Sequence, residues 1–144
     1  MFKRILVPTD GSEITARAAK AAIIIAKEGG GQIFAVSVRE RFAWGGITEM
    51  NAVPLKEFHE TQERIAQERV AVVAAAAKEH GVPCQTFTVD TLHPWEAILS
   101  IAKESNCDLI AMASHGRRGV AALLIGSETQ RVLTHSDISV LVVK

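Results

Sequence analysis

The sequence carries no excess charge of either sign: 16 lysines and arginines stand against 16 aspartates and glutamates. A phosphate polymer or an anionic membrane surface is drawn by a field of one sign, so this balance argues against both partners. Long apolar runs are missing too. The longest, AAKAAIII, falls far short of the ~20 residues that cross a bilayer. The opening MFKRILVPTD has two charges and a short run stopped by Pro-Thr-Asp. It lacks the apolar core and the small-residue cleavage site of a secretory leader. Cysteine is scarce: Cys84 and Cys107 sit in different segments and form no metal or redox spacing. They read as small buried hydrophobes in a reducing compartment. A soluble, cytoplasmic chain with no nucleic-acid or membrane partner is the expectation.

What is present points to a single packed unit. With 144 residues and 48% apolar composition, the chain suffices for one domain over 1–144. Five short β-rich runs stand out: KRILVPTD (3–10), QIFAVSV (32–38), CQTFTVD (84–90), DLIAMAS (108–114) and SVLVVK (139–144). The first, fourth and fifth are continuously apolar, as strands buried on both faces are. Helical patterns fall between them at 12–28, 56–80, 94–105 and 128–134; the first is stopped by Gly29-Gly30-Gly31 and the third opens on Pro94. RVAVVAAAAK within the second reads as a face packed on a sheet. Strands alternating with helices predict an α/β fold: a doubly wound, Rossmann-like, five-stranded parallel sheet of order 3-2-1-4-5 with helices on both faces. No internal repeat or low-complexity tract interrupts this pattern.

In such sheets ligands sit at the carboxyl ends of the strands, where the strand order reverses. Two polar turns, PTDGSE and ASHGRRG, follow the first and fourth strand runs, and that order sets them side by side. The irregular stretch Arg39 to Pro54, with Trp44-Gly45-Gly46, is a candidate lid over the same edge. Glycine turns let backbone amides converge on an anion, and a helix N-terminus adds partial positive charge. Gly126-Ser127 at the entry of the last helix fits this use, with the amides of Glu128 and Thr129 beyond. Arg117 and Arg118 are placed either to neutralise outer phosphates or to be solvated loop charges. Gly119 reads as an extension of the turn. SETQ is equally a capping box with Ser127 as N-cap and Gln130 three residues on, and DGSE reads the same way with Asp10 as N-cap and Glu13 closing the box. Glu128 suits the helix dipole but opposes a polyphosphate held there.

Together KRILVPTDGSE, ASHGRRG…IGS and VLTHSDISVLVVK resemble the universal stress protein family, in type and in order, over essentially the whole chain. Nucleotide-binding members of that family carry the loop G-x2-G-x9-G-[ST]. On this chain Ala113 occupies the first glycine slot, and Gly116, Gly126 and Ser127 fill the other three. The resemblance implies a homodimeric cytoplasmic stress protein that holds ATP or AMP, with or without Mg²⁺; members that have lost the loop bind no nucleotide. It also implies that Pro8, Thr9 and Asp10 line the adenosine end with the backbone of Val38, and that Met112 and His115 flank the loop. On its residues alone Met112 reads as core.

Other chemistry finds little support. The remaining histidines, His59, His80, His93 and His135, are scattered without metal-ligand spacing. Trp95 beside Pro94 reads as a packing residue. No P-loop lysine is present, so an ATPase of that class is excluded. A phosphorylated receiver domain needs an acidic pair near the first strand, which is not there. An enzyme is the weakest reading, at most a slow ATP hydrolase with no residue placed as base or metal ligand; the two leading functions are a nucleotide-binding regulatory module and a protein-interaction module whose pocket holds no nucleotide. SVLVVK is expected at a sheet edge, where pairing with a second copy closes it with two-fold symmetry.

Overall fold

The computed structural model describes residues 1–40, 55–117 and 125–144. Nine elements follow one another: β1 (Arg4–Pro8), α1 (Glu13–Gly29), β2 (Gln32–Glu40), α2 (Leu55–Glu79), β3 (Cys84–Thr91), α3 (Pro94–Glu104), β4 (Leu109–Ala113), α4 (Ser127–His135) and β5 (Ser139–Val143). The five strands form one sheet in the order β3-β2-β1-β4-β5, and every described pairing is parallel. The expected α/β architecture and its strand order are both present. None of the described helices is long and apolar enough to cross a membrane.

Each helix begins and ends for local reasons. Ser12 caps α1 by accepting the Thr15 amide, and Gly30 closes it in the left-handed conformation, which glycine adopts without steric cost. The Ala26 carbonyl then accepts from the Gly31 amide at 2.7 Å and turns the chain into β2. On α2 the buried residues Ala66, Val70, Val73 and Ala77 recur every three or four positions, one stripe facing the sheet. Alternation along the strands divides the core in two. Ile5, Val7, Ile33 and Ala35 pack under α1 and α2, while Leu6, Phe34, Val36, Ile110 and Met112 pack under α3 and α4. β1 and β4 are therefore apolar on both faces, as continuous runs require. β5 stays half-buried along Val140–Val143, with one edge unpaired by any described strand.

β2 extends to Glu40, so Arg39 belongs to a strand rather than to a loop. The rest of the candidate lid, 41–54, lies outside the described residues, as do Arg118 and Gly119. Cys107 is buried and Cys84 partly so, both free. Burial pushes the Cys107 thiol up to about 11, with Arg4 pulling it down and Asp108 adding to the rise. It stays a neutral, unreactive thiol, in keeping with a hydrophobe's place. Trp95 packs too, its ring 4.5 Å from that of His135.

Candidate functional site

The site forms where the chain leaves β1 and β4 at their carboxyl ends. After Pro8, the Thr9 amide donates to the Val36 carbonyl at 2.8 Å, which holds the exit of β1 against β2. Thr9 itself is buried, its hydroxyl 3.2 Å from that of Thr15. Gly11 has φ +78°, a turn conformation in which an L side chain is strained. Asp10 does not cap α1. Its Oδ1 accepts from the Ser12 amide at 2.9 Å and from the Thr15 hydroxyl at 3.2 Å, and the cap falls two residues later on Ser12. Glu13 pairs instead with Arg17 one turn on, 3.4 Å away and exposed.

β4 ends on Ala113, buried and in register with Val143. Among the described non-glycine residues only Asn106 has positive φ, so Ala113 has ordinary strand geometry. Its carbonyl accepts from the buried Thr129 hydroxyl at 2.9 Å, tying the start of α4 to the end of β4. The Ser114 carbonyl accepts from the Gly126 amide at 2.6 Å. Gly126 is packed so tightly there that a Cβ would stand 3.3 Å from both the Ser114 oxygen and the His115 Cα.

Two expectations about α4 are corrected. Its N-cap is Gly126, in extended geometry and with no side-chain cap, while Ser127 is the first helical residue. Gln130 reaches back to the Ile125 carbonyl at 3.3 Å, so no capping box forms. Glu128 stays in the first turn of α4 but engages its carboxylate elsewhere. Its Oε2 accepts from the Trp95 amide at 2.9 Å, and its Oε1 lies 3.5 Å from Arg131. The carboxylate thus serves the N-terminus of α3, where the helix dipole favours it.

The two turns meet directly. The Arg117 amide donates to Asp10 Oδ2 at 2.5 Å, and a Cβ on Gly116 would come within 2.9 Å of that oxygen. Only glycine lets the loop approach the carboxylate this closely. Burial alone would raise the Asp10 carboxyl, yet the hydrogen bonds from Ser12, Arg117 and Thr15 outweigh it and hold the group below its ordinary value. Beside this junction a cleft of about 430 Å³ opens between the start of α1 and His115–Arg117. A second, of about 280 Å³, lies between Thr9–Ser12 and α2.

Of the expected site residues, Pro8, Thr9, Asp10, Ala113, His115, Gly116, Arg117, Gly126, Ser127 and Thr129 belong to these two strand exits and the helix start they support. Met112 is buried in the core under α3 and α4, and Val38 packs at the margin of the same cluster. The Glu128 side chain is directed to α3. Sequence reasoning missed Thr15, which joins Thr9 to Asp10, and Arg69 of α2, whose side chain reaches Gly11. Thr15 sits one helical turn after a serine cap, a signal that was readable. Nothing in the local pattern of α2 marks Arg69. Among the described residues no group of three His, Cys, Asp or Glu side chains is placed to hold a metal ion.

Residues 1–144 match the model of the universal stress protein family. The chain belongs to the universal stress protein family. A universal stress protein of Methanocaldococcus jannaschii is 33% identical over 144 residues, covering all of this chain and 83% of its own. The solved structure of hypothetical protein MJ0577, a universal stress protein of the same organism, is similar at TM-score 0.85 and 27% identity, covering 100% of this chain and 96% of that one. A universal stress protein from Archaeoglobus fulgidus in complex with dAMP shares the fold at TM-score 0.73 and 16% identity, over 99% of this chain and 98% of its own.

Proposed function

We propose that this universal stress protein binds an adenine nucleotide, ATP or AMP, at the carboxyl ends of β1 and β4 and acts as a regulatory module in the cytoplasm. The observation that carries this reading is the start of α4. The helix begins on a glycine with no side-chain cap, held against the Ser114–Arg117 turn. Its first amides are the donors that a phosphate group takes at a helix N-terminus. In this arrangement Gly126, Ser127 and the amides of Glu128 and Thr129 receive phosphate, with Gly116 and His115 alongside. Pro8, Thr9, Asp10, the Val38 backbone and Met112 border the adenosine. Mg²⁺, where it accompanies ATP, is held through the phosphates rather than by a cage of side chains. The dAMP held by a protein of the same fold supports the ligand class. Working as a homodimer through β5 is part of the same proposal.

Mass spectrometry of the purified protein for copurified nucleotide, followed by calorimetric titration with ATP and AMP, tests it. Binding that disappears in Gly126→Val, with the fold retained by circular dichroism, is the expected result. One observation favours the protein-interaction reading instead: Asp10 already takes up the Arg117 amide. If millimolar ATP neither raises the melting temperature nor gives heat on titration, that reading replaces the first.

A further inference from the structure

Arg69 and Arg117 meet on the side of the sheet covered by α1 and α2. A methyl group on Gly11 would stand 3.4 Å from Arg69 Nε and 3.5 Å from Arg117 Nη2, so two guanidinium groups converge over one glycine. Like charges at this range repel each other. Burial first, then Arg117, lowers the Arg69 guanidinium from its ordinary value, with Asp10 opposing them. Neither side chain has an ion-pair partner among the described residues. The nearby Asp10 oxygens accept from Ser12, Thr15 and the Arg117 amide. Glu68, on the same cleft, pairs with Arg64 at 3.0 Å. The cleft of about 280 Å³ that holds both arginines has a polar end at Thr9, Gly11 and Ser12 and an apolar wall of Ile65, Val72 and Val73. Two cations here face the single carboxylate of Asp10, which leaves an excess positive charge in a space this size for an anion to meet. Guanidinium forks match the tetrahedral oxygens of phosphate and bind them bidentately.

We propose that this cleft is an anion site taking a phosphate group between Arg69 and Arg117, separate from the start of α4. The phosphate is either free or the outer phosphate of a nucleotide bound in the neighbouring crevice; the first source does not rest on the nucleotide reading. Calorimetric titration of the full chain with orthophosphate, AMP and ATP at fixed ionic strength tests it, using wild type, Arg69→Gln, Arg69→Lys and, as a control, the outward-paired Arg64→Gln. Loss of about tenfold in orthophosphate affinity on Arg69→Gln, the size expected for a charge-assisted hydrogen bond, with AMP and ATP unchanged, identifies a free-phosphate site. A loss confined to ATP, leaving AMP unchanged, identifies the outer-phosphate source. In either case Arg69→Lys retains part of the affinity and Arg64→Gln all of it. The proposal is overturned if Arg69→Gln changes neither orthophosphate nor ATP binding, or if Arg64→Gln does the same.

Discussion

Asp10 is a carboxylate whose charge is held by donors from both turns. Because its folded value lies below the unfolded one, its contribution to stability is fully present above the unfolded value of about 3.9 and is lost as pH falls through the folded value. Asp10→Asn is expected to remove that acid-dependent part and to cost about 1–3 kcal/mol at neutral pH through weakened acceptance. Urea unfolding of both proteins at pH 7 and pH 3 checks this: the gap between them should narrow in acid, and a constant gap would refute it. The Ala113 backbone lies in a strand with ordinary geometry. Of the two reasons for glycine in that slot, a positive φ is gone and only close approach to a ligand remains. Ala113→Gly is expected to lower the melting temperature, since glycine in a strand costs about 0.5–1 kcal/mol. Any gain in ATP affinity should stay near fivefold, about 1 kcal/mol. Scanning calorimetry and titration of the same sample separate the two effects.

At the scale of elements, α3 and α4 are joined end to side by Glu128. Its carboxylate stands where α3 has no capping side chain, because His93 makes no cap hydrogen bond. Glu128→Ala should cost about 0.5–2 kcal/mol, as loss of a cap does, and should loosen the tilted Trp95–His135 ring contact. Thermal unfolding and Trp95 emission report on both; an unchanged melting curve would remove Glu128 from this role. The strands and helices were legible because their periods and stops are local: continuous apolar runs for β1 and β4, three glycines after α1. Which residue caps a helix was not. In DGSE and SETQ the pattern allows several registers, and tertiary contacts choose among them. Asp10 is drawn to the Arg117 amide, leaving Ser12 to cap α1, and Thr129 is drawn to the Ala113 carbonyl, leaving Gly126 at the start of α4. Arg69 was illegible for the same reason, since its place follows from how α2 crosses the sheet and not from its neighbours in sequence.

For the whole molecule, the edge strand β5 carries the first consequence. Val140–Val143 is apolar, half-buried and unpaired on one side by any described strand, a surface that associates. Light scattering is expected to give a dimer at micromolar concentration. The double substitution Val140→Lys and Val142→Lys should give monomer or insoluble protein, and a wild-type monomer mass would count against the edge as an interface. A second consequence concerns synthesis. The order β3-β2-β1-β4-β5 places β1 between a strand formed early and one formed more than a hundred residues after it, and the Asp108 carboxylate that receives the Lys3 and Arg4 amides lies 105 and 104 positions away. On the ribosome, which adds residues at roughly 5–20 per second, the first three strands are therefore complete for about 1–4 seconds while β1 still has an open flank. Contacts this distant in sequence close late and slowly. Until β4 arrives, the growing chain exposes the edge of its most apolar strand, and the crevice does not exist. The turn that meets Asp10 is made more than a hundred residues after it, so a ribosome halted before it leaves an adhesive fragment with no site.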